Sequence, residues 1–147
     1  MAGYSRLAMD RVVYPLLLLL GTEFTADPVL LTLPGDKVPE NDRWIDVLLL
    51  GDEPVSLAAF ASLRVYSVRI RLIKRRGGQS PSVEMEHLLD QVERLKNLLI
   101  VNHRGTYWLD GQIGAVTYAP DFSEFGEIGH YIGAEMIWTC KIEESIS

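Results

Sequence analysis

Between Arg64 and Ile100 the spacing of apolar residues changes from a period of two to one of about 3.6, which dictates a strand feeding a helix. In Arg64–Ile73, Val68, Ile70 and Leu72 alternate with Ser67, Arg69 and Arg71, the pattern of a strand with one buried face. A basic turn, Lys74 to Gln79, follows. Ser80-Pro81 then predicts a sharp helix start, because proline's missing N–H costs nothing in the first turn and a serine side chain can accept a bond from an orphan amide. Over Pro81–Ile100, Met85, Leu88, Val92, Leu95 and Leu99 recur in steps of three and four, giving one apolar stripe with which the helix lies on a sheet.

A chain of 147 residues with 48% hydrophobic side chains carries enough apolar material for one globular unit. We read 1–147 as a single structural domain, with 1–39 an apolar N-terminal segment and linker and 40–147 the sheet plus helix. The only cysteine, Cys140, has no internal disulfide partner and sits in an apolar strand pattern, the setting of a buried thiol. The apolar run Val12 to Leu20 is far shorter than the ~20 residues that span a bilayer. With Asp10 before it and no small residue at the upstream cleavage position of Phe24-Thr25-Ala26, it reads as core and not as an export leader. Pro15 breaks the run, so either a helix ends near Tyr14 or a new one begins at Pro15.

The remaining elements follow from turn chemistry. Pro28, Pro34, Gly35 and Pro39 punctuate a connection in which Val29–Leu33 is a short edge strand. Trp44–Leu50 predicts a strand, Gly51–Pro54 a turn, and Val55–Leu63 either a small-residue strand or a short helix. After the long helix, Asn102–Gly105 is a turn, and Thr106–Leu109 and Gln112–Tyr118 are expected to form a hairpin closed by Asp110-Gly111. Tyr131–Glu143 is the last strand, with Ile132, Ala134, Met136, Trp138, Cys140 and Ile142 on one face and Gly133, Glu135, Thr139 and Lys141 on the other. The expected class is α+β: a small, mostly antiparallel sheet with one long amphipathic helix packed on it and an N-terminal apolar helix.

Charge is segregated along the chain. Arg64–Gln79 holds six basic residues, Arg64, Arg69, Arg71, Lys74, Arg75 and Arg76, and no acid. Gly105–Ser147 holds seven acids, Asp110, Asp121, Glu124, Glu127, Glu135, Glu143 and Glu144, against Lys141 alone. The net charge is −6, a poor basis for general nucleic-acid binding, which rests on phosphate neutralisation. Three uses of the basic segment stay open: a local DNA contact, a solvated turn, or complementarity in which it meets an acidic segment of another copy head to tail. The twelve-residue connection Ala119–His130, with Asp121, Glu124, Glu127, Phe122 and Phe125, is long enough to suggest binding, although its phenylalanines can equally return to the chain's own core.

Chemistry is sparsely signalled. Gly77-Gly78 lacks the further residues of a phosphate-cradling loop, and His87, His103 and His130 lack the spacing of metal ligands. His103 with Asp110, or His130 with Glu127 and Cys140, gives no sequence reason to converge. The expectation is a chain that is not an enzyme, with no cofactor and no metal.

The order of elements, carried by VYSVRIRLIKRR, EMEHLLDQVERLKNLL and APDFSEFGEIGHYIGAEMIWTCKI, resembles the tail terminator proteins of tailed bacteriophages over most of Arg43–Glu143. The stretch from Met1 to Pro39 departs from the short start of that family. The resemblance implies a structural virion protein, assembled in the host cytoplasm, whose copies form a hexameric ring that caps the tail tube. Such a ring joins tube, and sheath where present, to the neck and connector proteins, and genomic DNA passes through it without specific binding; no membrane is involved. On that reading Arg69, Arg71, Lys74, Arg75, Arg76, Asp121, Phe122, Glu124, Phe125 and Glu127 are interface candidates, and Glu135 faces the lumen, where its charge repels phosphate. The alternatives are another head-tail joining component, or a small nucleic-acid-binding module using the basic residues of 64–79.

Overall fold

The computed structural model describes residues 8–31, 42–57, 61–78, 80–105, 108–119 and 131–145. A π-helical turn, Ala8–Val13, leads into α1, Tyr14–Glu23; β1, Val29–Leu31, β2, Arg43–Leu57, and β3, Ala61–Arg75, precede α2, Pro81–Val101; β4, Asp110–Ala119, and β5, Tyr131–Ser145, complete the chain. The fold is mixed α+β, a five-stranded sheet in the order β1-β2-β3-β5-β4 with two α-helices. β1 runs parallel to β2, and the other neighbours are antiparallel.

β3 is the central strand. It pairs with β5 from Ala61↔Ser145 to Arg75↔Tyr131, and with β2 from Arg43↔Lys74 to Leu57↔Ser62. Fifteen residues at the usual strand rise make these elements about 50 Å long, whereas the twenty-one residues of α2 span roughly 31 Å. The sheet therefore outruns α2 at the end that carries Gly51–Val55, which is exposed.

The front face holds the core. Ile45 and Val47 of β2, Tyr66, Val68, Ile70 and Leu72 of β3, and Ile132 to Ile142 in alternate steps of β5 meet Leu88, Val92, Leu95 and Leu99 of α2 and Val12, Leu16, Leu20 and Phe24 from the N-terminal helical segment. The alternation of β3 and β5 and the stripe of α2 thus select the same face. Cys140 is buried here, and loss of solvation pushes its thiol pKa up to about 12, so it stays protonated and inert at neutral pH.

Pro15 explains the change of helix type. It has no N–H to offer the Arg11 carbonyl and its ring crowds that oxygen; the preceding turn widens to π geometry, and regular α-helix starts at Tyr14 with the proline in its first turn. Among the described residues no helix is long and apolar enough to cross a membrane.

Three local expectations need correction. Gly51–Pro54 is no turn: β2 continues through it with register shifts between Leu49 and Gly51 and between Pro54 and Ser56. Beyond Val47 this strand has no partner on its outer side among the described residues, so a proline there costs no ladder bond. Asp110-Gly111 closes no hairpin either, because both residues open β4 and pair with Lys141 and Cys140 of β5. The glycine serves close approach, since a Cβ at Gly111 would lie 2.9 Å from Cζ2 and 3.0 Å from Nε1 of the buried Trp138. Trp138 is held in turn edge-to-face against Trp108, with ring centroids 5.0 Å apart, and the Trp108 indole donates to the Asn102 carbonyl at 3.1 Å. At the start of α2 the Ser80 side chain caps no amide; its carbonyl accepts the Glu84 N–H at 3.1 Å, while Pro81 occupies the first turn as expected.

Gly111→Ala should destabilise the fold by about 1–3 kcal/mol through overpacking against the Trp138 ring, measured as a lower urea midpoint with an unchanged m-value. An unchanged midpoint would mean that the ring moves aside freely.

Candidate interaction surface on the back of the sheet

Residues paired across neighbouring strands project to the same side, so the registers lay out the face that α1 and α2 leave uncovered. One row is Trp44–Ile73–Gly133, the next Asp46–Arg71–Glu135–Thr117, and the third Leu48–Arg69–Ile137. The first row is closed: Trp44, Ile73 and Tyr131 form a second small apolar cluster with Leu30 of β1, and the Trp44 and Tyr131 rings meet edge-on at 5.8 Å. The second row starts closed, with Asp46 and Arg71 buried, and opens at Glu135. In the third row Leu48, Arg69 and Ile137 are all half-buried.

Arg71 and Asp46 form a two-pronged pair, with Nε to Oδ1 and Nη2 to Oδ2 both at 2.8 Å, at 5% and 1% residue exposure. Matched fork geometry is what a buried guanidinium needs, because each charge loses its hydration. Two residues away along β3, on the same face, Arg69 lies 3.8 Å from Glu135 Oε1, and its Nε is buried without a hydrogen-bond acceptor among the described residues.

The other basic candidates are tied to their own chain as well. Lys74 Nζ lies 2.7 Å from Glu84 Oε2, and the Gly77 N–H donates to Glu84 Oε1 at 2.9 Å. The lysine's hydrogen bond, opposed by desolvation and helped by the Gly77 amide and by Arg76, holds the Glu84 carboxyl below the ordinary glutamate range. Arg75 donates to the Tyr131 hydroxyl at 3.3 Å and lies over its ring at 5.6 Å. Arg64 donates to Asp52 at 2.8 Å. Four of the six basic residues of 64–79 thus engage carboxylates from β2, β5 or α2, and the fifth an aromatic ring.

Of the sequence-derived candidates, the structure brings Arg69, Arg71 and Glu135 together on the back face and sets Lys74, Arg75 and Arg76 at the β3–α2 end. Asp121, Phe122, Glu124, Phe125 and Glu127 lie outside the described residues, as does His130. His103 sits 3.6 Å from Asp110 at an exposed corner. Sequence reasoning missed Asp46 and Glu84. Asp46 carried a signal, an acid in phase with Trp44 and Leu48 inside an apolar strand; Glu84 carried none, since it looks like an ordinary first-turn acid of a helix.

Removing one member of the buried pair, as in Asp46→Ala, leaves an uncompensated guanidinium and should cost about 3–5 kcal/mol, whereas the joint replacement Asp46→Leu with Arg71→Met should cost much less. Urea titration of the three proteins checks this, and equal losses in the single and double variants would refute it. Glu84 supplies a pH test. Its folded pKa lies below its unfolded value near 4.5, so its contribution is complete above about pH 4.5 and is lost as pH falls through the folded pKa. Glu84→Gln should therefore be less stable than wild type at neutral pH, and the gap should narrow on acidification below 4.5.

Comparison with protein-family models and with curated proteins finds no match to this chain.

Proposed function

We propose that the protein is a structural subunit of a phage virion, a tail terminator whose copies form a ring, expected to be hexameric, that caps the tail tube and joins it to the neck. The observation that carries this reading is the back face of the sheet. Strands of about 50 Å are covered by α1 and α2 on one side only, and on the other Leu48 and Ile137 flank Arg69 half-buried, beside Glu135. A face of mixed apolar and charged character suits contact with a neighbouring subunit or the wall of a channel better than it suits free solvent. The element order on which the resemblance rests, a strand passing through a charged turn into an amphipathic helix and ending in a long alternating strand, supports the same reading.

The internal pairing of the basic segment bears on the rival reading. A nucleic-acid module would need Arg69, Arg71 and Lys74 free to neutralise phosphate, yet their charges are matched by Glu135, Asp46 and Glu84. In the ring reading the basic end of the subunit, Arg75 and Arg76, is the part left to meet an acidic neighbour, and Glu135, more exposed than the Arg69 that lies 3.8 Å from it, is the member of that pair turned toward passing DNA.

Purified protein added to tail tubes assembled without a terminator should bind at one tube end as a ring visible by electron microscopy, and should stop further tube growth. Protein that leaves tube growth unchanged and binds DNA with a steep salt dependence would overturn the proposal. Within it, Glu135→Gln should retain folding, checked by thermal melting, and should raise DNA retention in the assembled tail; an unchanged DNA passage would remove Glu135 from the lumen.

A further inference from the structure

The edges of the sheet are unequal in their protection against pairing. On one side β1 covers only Ile45–Val47 of β2, and the rest of that outer edge carries two register shifts, Pro54, Asp52 and Glu53. Bulges, proline and charge are the devices that keep an edge from pairing. On the other side β4 is the outermost strand among the described residues, and from Gln112 to Ala119 it has one bulge, no proline and no charge. Gln112, Gly114, Ala115, Thr117 and Tyr118 are exposed there. Such an edge pairs with another chain unless something covers it.

The helix beside this edge indicates what covers it. Leu89, Glu93, Lys96 and Ile100 follow in steps of four, three and four, so they share one lateral face of α2. That face borders β4: Lys96 interacts with the Tyr118 hydroxyl, and Ile100 lines a groove with Gly111, Gln112 and Ile113. Leu89 and Ile100 are large apolar side chains left 42% and 59% exposed. Read in order, the face is apolar, acid, base, apolar. Turned by a two-fold axis passing between Glu93 and Lys96, which lie 3.3 Å apart (Nζ to Oε1) within the chain, it meets itself with Leu89 against Ile100 of the other copy and the two Glu93–Lys96 pairs side by side in opposite order, so that each acid also faces the other copy's base.

We infer that the β4 edge and the Leu89–Ile100 face of α2 form a self-complementary docking surface for a second copy of this chain, paired antiparallel through β4 about a two-fold axis. Among the described residues a three-residue β1 and the guarded β2 leave no comparable edge elsewhere on the sheet for β4 to match, so like meets like. This contact differs from the head-to-tail one proposed above. A two-fold pair closes after two copies and cannot alone build a six-membered ring; it shields the unguarded edge of the free subunit from open-ended pairing.

The test is charge exchange at the exposed Glu93 and the half-buried Lys96. Wild-type protein should sediment at twice the mass of one chain. Glu93→Lys places two cationic pairs across the axis and Lys96→Glu two anionic ones, so each variant alone should be monomeric at the concentration where wild type is dimeric. Mixed in equal amounts they should form a one-to-one dimer, because both cross-axis pairs are then attractive; thermal melting of each variant confirms that it is folded. Ile100→Asp should be monomeric and should not be rescued by either charge variant. A monomeric wild type, single variants that remain dimeric, a mixture that remains monomeric, or a wild type that forms only a ring of more than two copies would each overturn the two-fold surface; the last would leave the ring reading intact.

Discussion

The Asp46–Arg71 pair fixes how β2 and the central strand β3 sit against one another. β3 has its front face in the main core, so its back face must accept whatever the odd positions supply, and at the middle of the strand that is an arginine. A buried guanidinium is tolerable only with a carboxylate in matched geometry, and Asp46 lies directly across the β2–β3 ladder. A register slip of one residue would bring Ile45 or Val47 opposite Arg71 and turn the aspartate into the front core. The ion pair therefore acts as a register key, the specificity role that buried charges serve best, whatever its net contribution to stability.

The same logic runs along the basic segment. Its charges look like a surplus when read in order, but each long-range pairing brings an acid to it: Asp52 to Arg64, Glu135 to Arg69, Asp46 to Arg71, Glu84 to Lys74. The segment is better described as one side of an internal charge ladder than as a patch awaiting a partner. Under the proposed assembly, the end of β3 around Arg75 and Arg76 and the less buried half of the back face around Leu48, Arg69 and Ile137 would be what meets a neighbour.

Stability and assembly divide between the two faces and the two edges. The front face is sealed by two helices and carries the glycine and tryptophan packing that tolerates no added volume; it is the part that specifies the fold. The back face and the β4 edge are only partly closed within one chain, and their mixture of exposed apolar groups with matched charges is the composition of surfaces that meet other subunits.

The sequence by itself determined the elements whose information is local. The alternation of Ser67 to Leu72 and of Ile132 to Ile142 named the buried faces of β3 and β5, and the Met85–Leu99 stripe named that of α2, because strand and helix periods are properties of consecutive residues. Pro81 marked a helix start for the same reason, and Pro15 marked a break in the apolar run without saying on which side of it the helix lay. The tertiary structure decided everything that depends on what lies opposite. Gly51 and Pro54 read as a turn but became bulged edge strand, since β3 continues beside them; Asp110-Gly111 read as a hairpin but became a strand start, since Trp138 needs the space a Cβ would fill. Above all it decided the charges: Asp46 and Glu84 stand 25 and 10 residues from Arg71 and Lys74 in the chain, and no local pattern says that folding will bring them together.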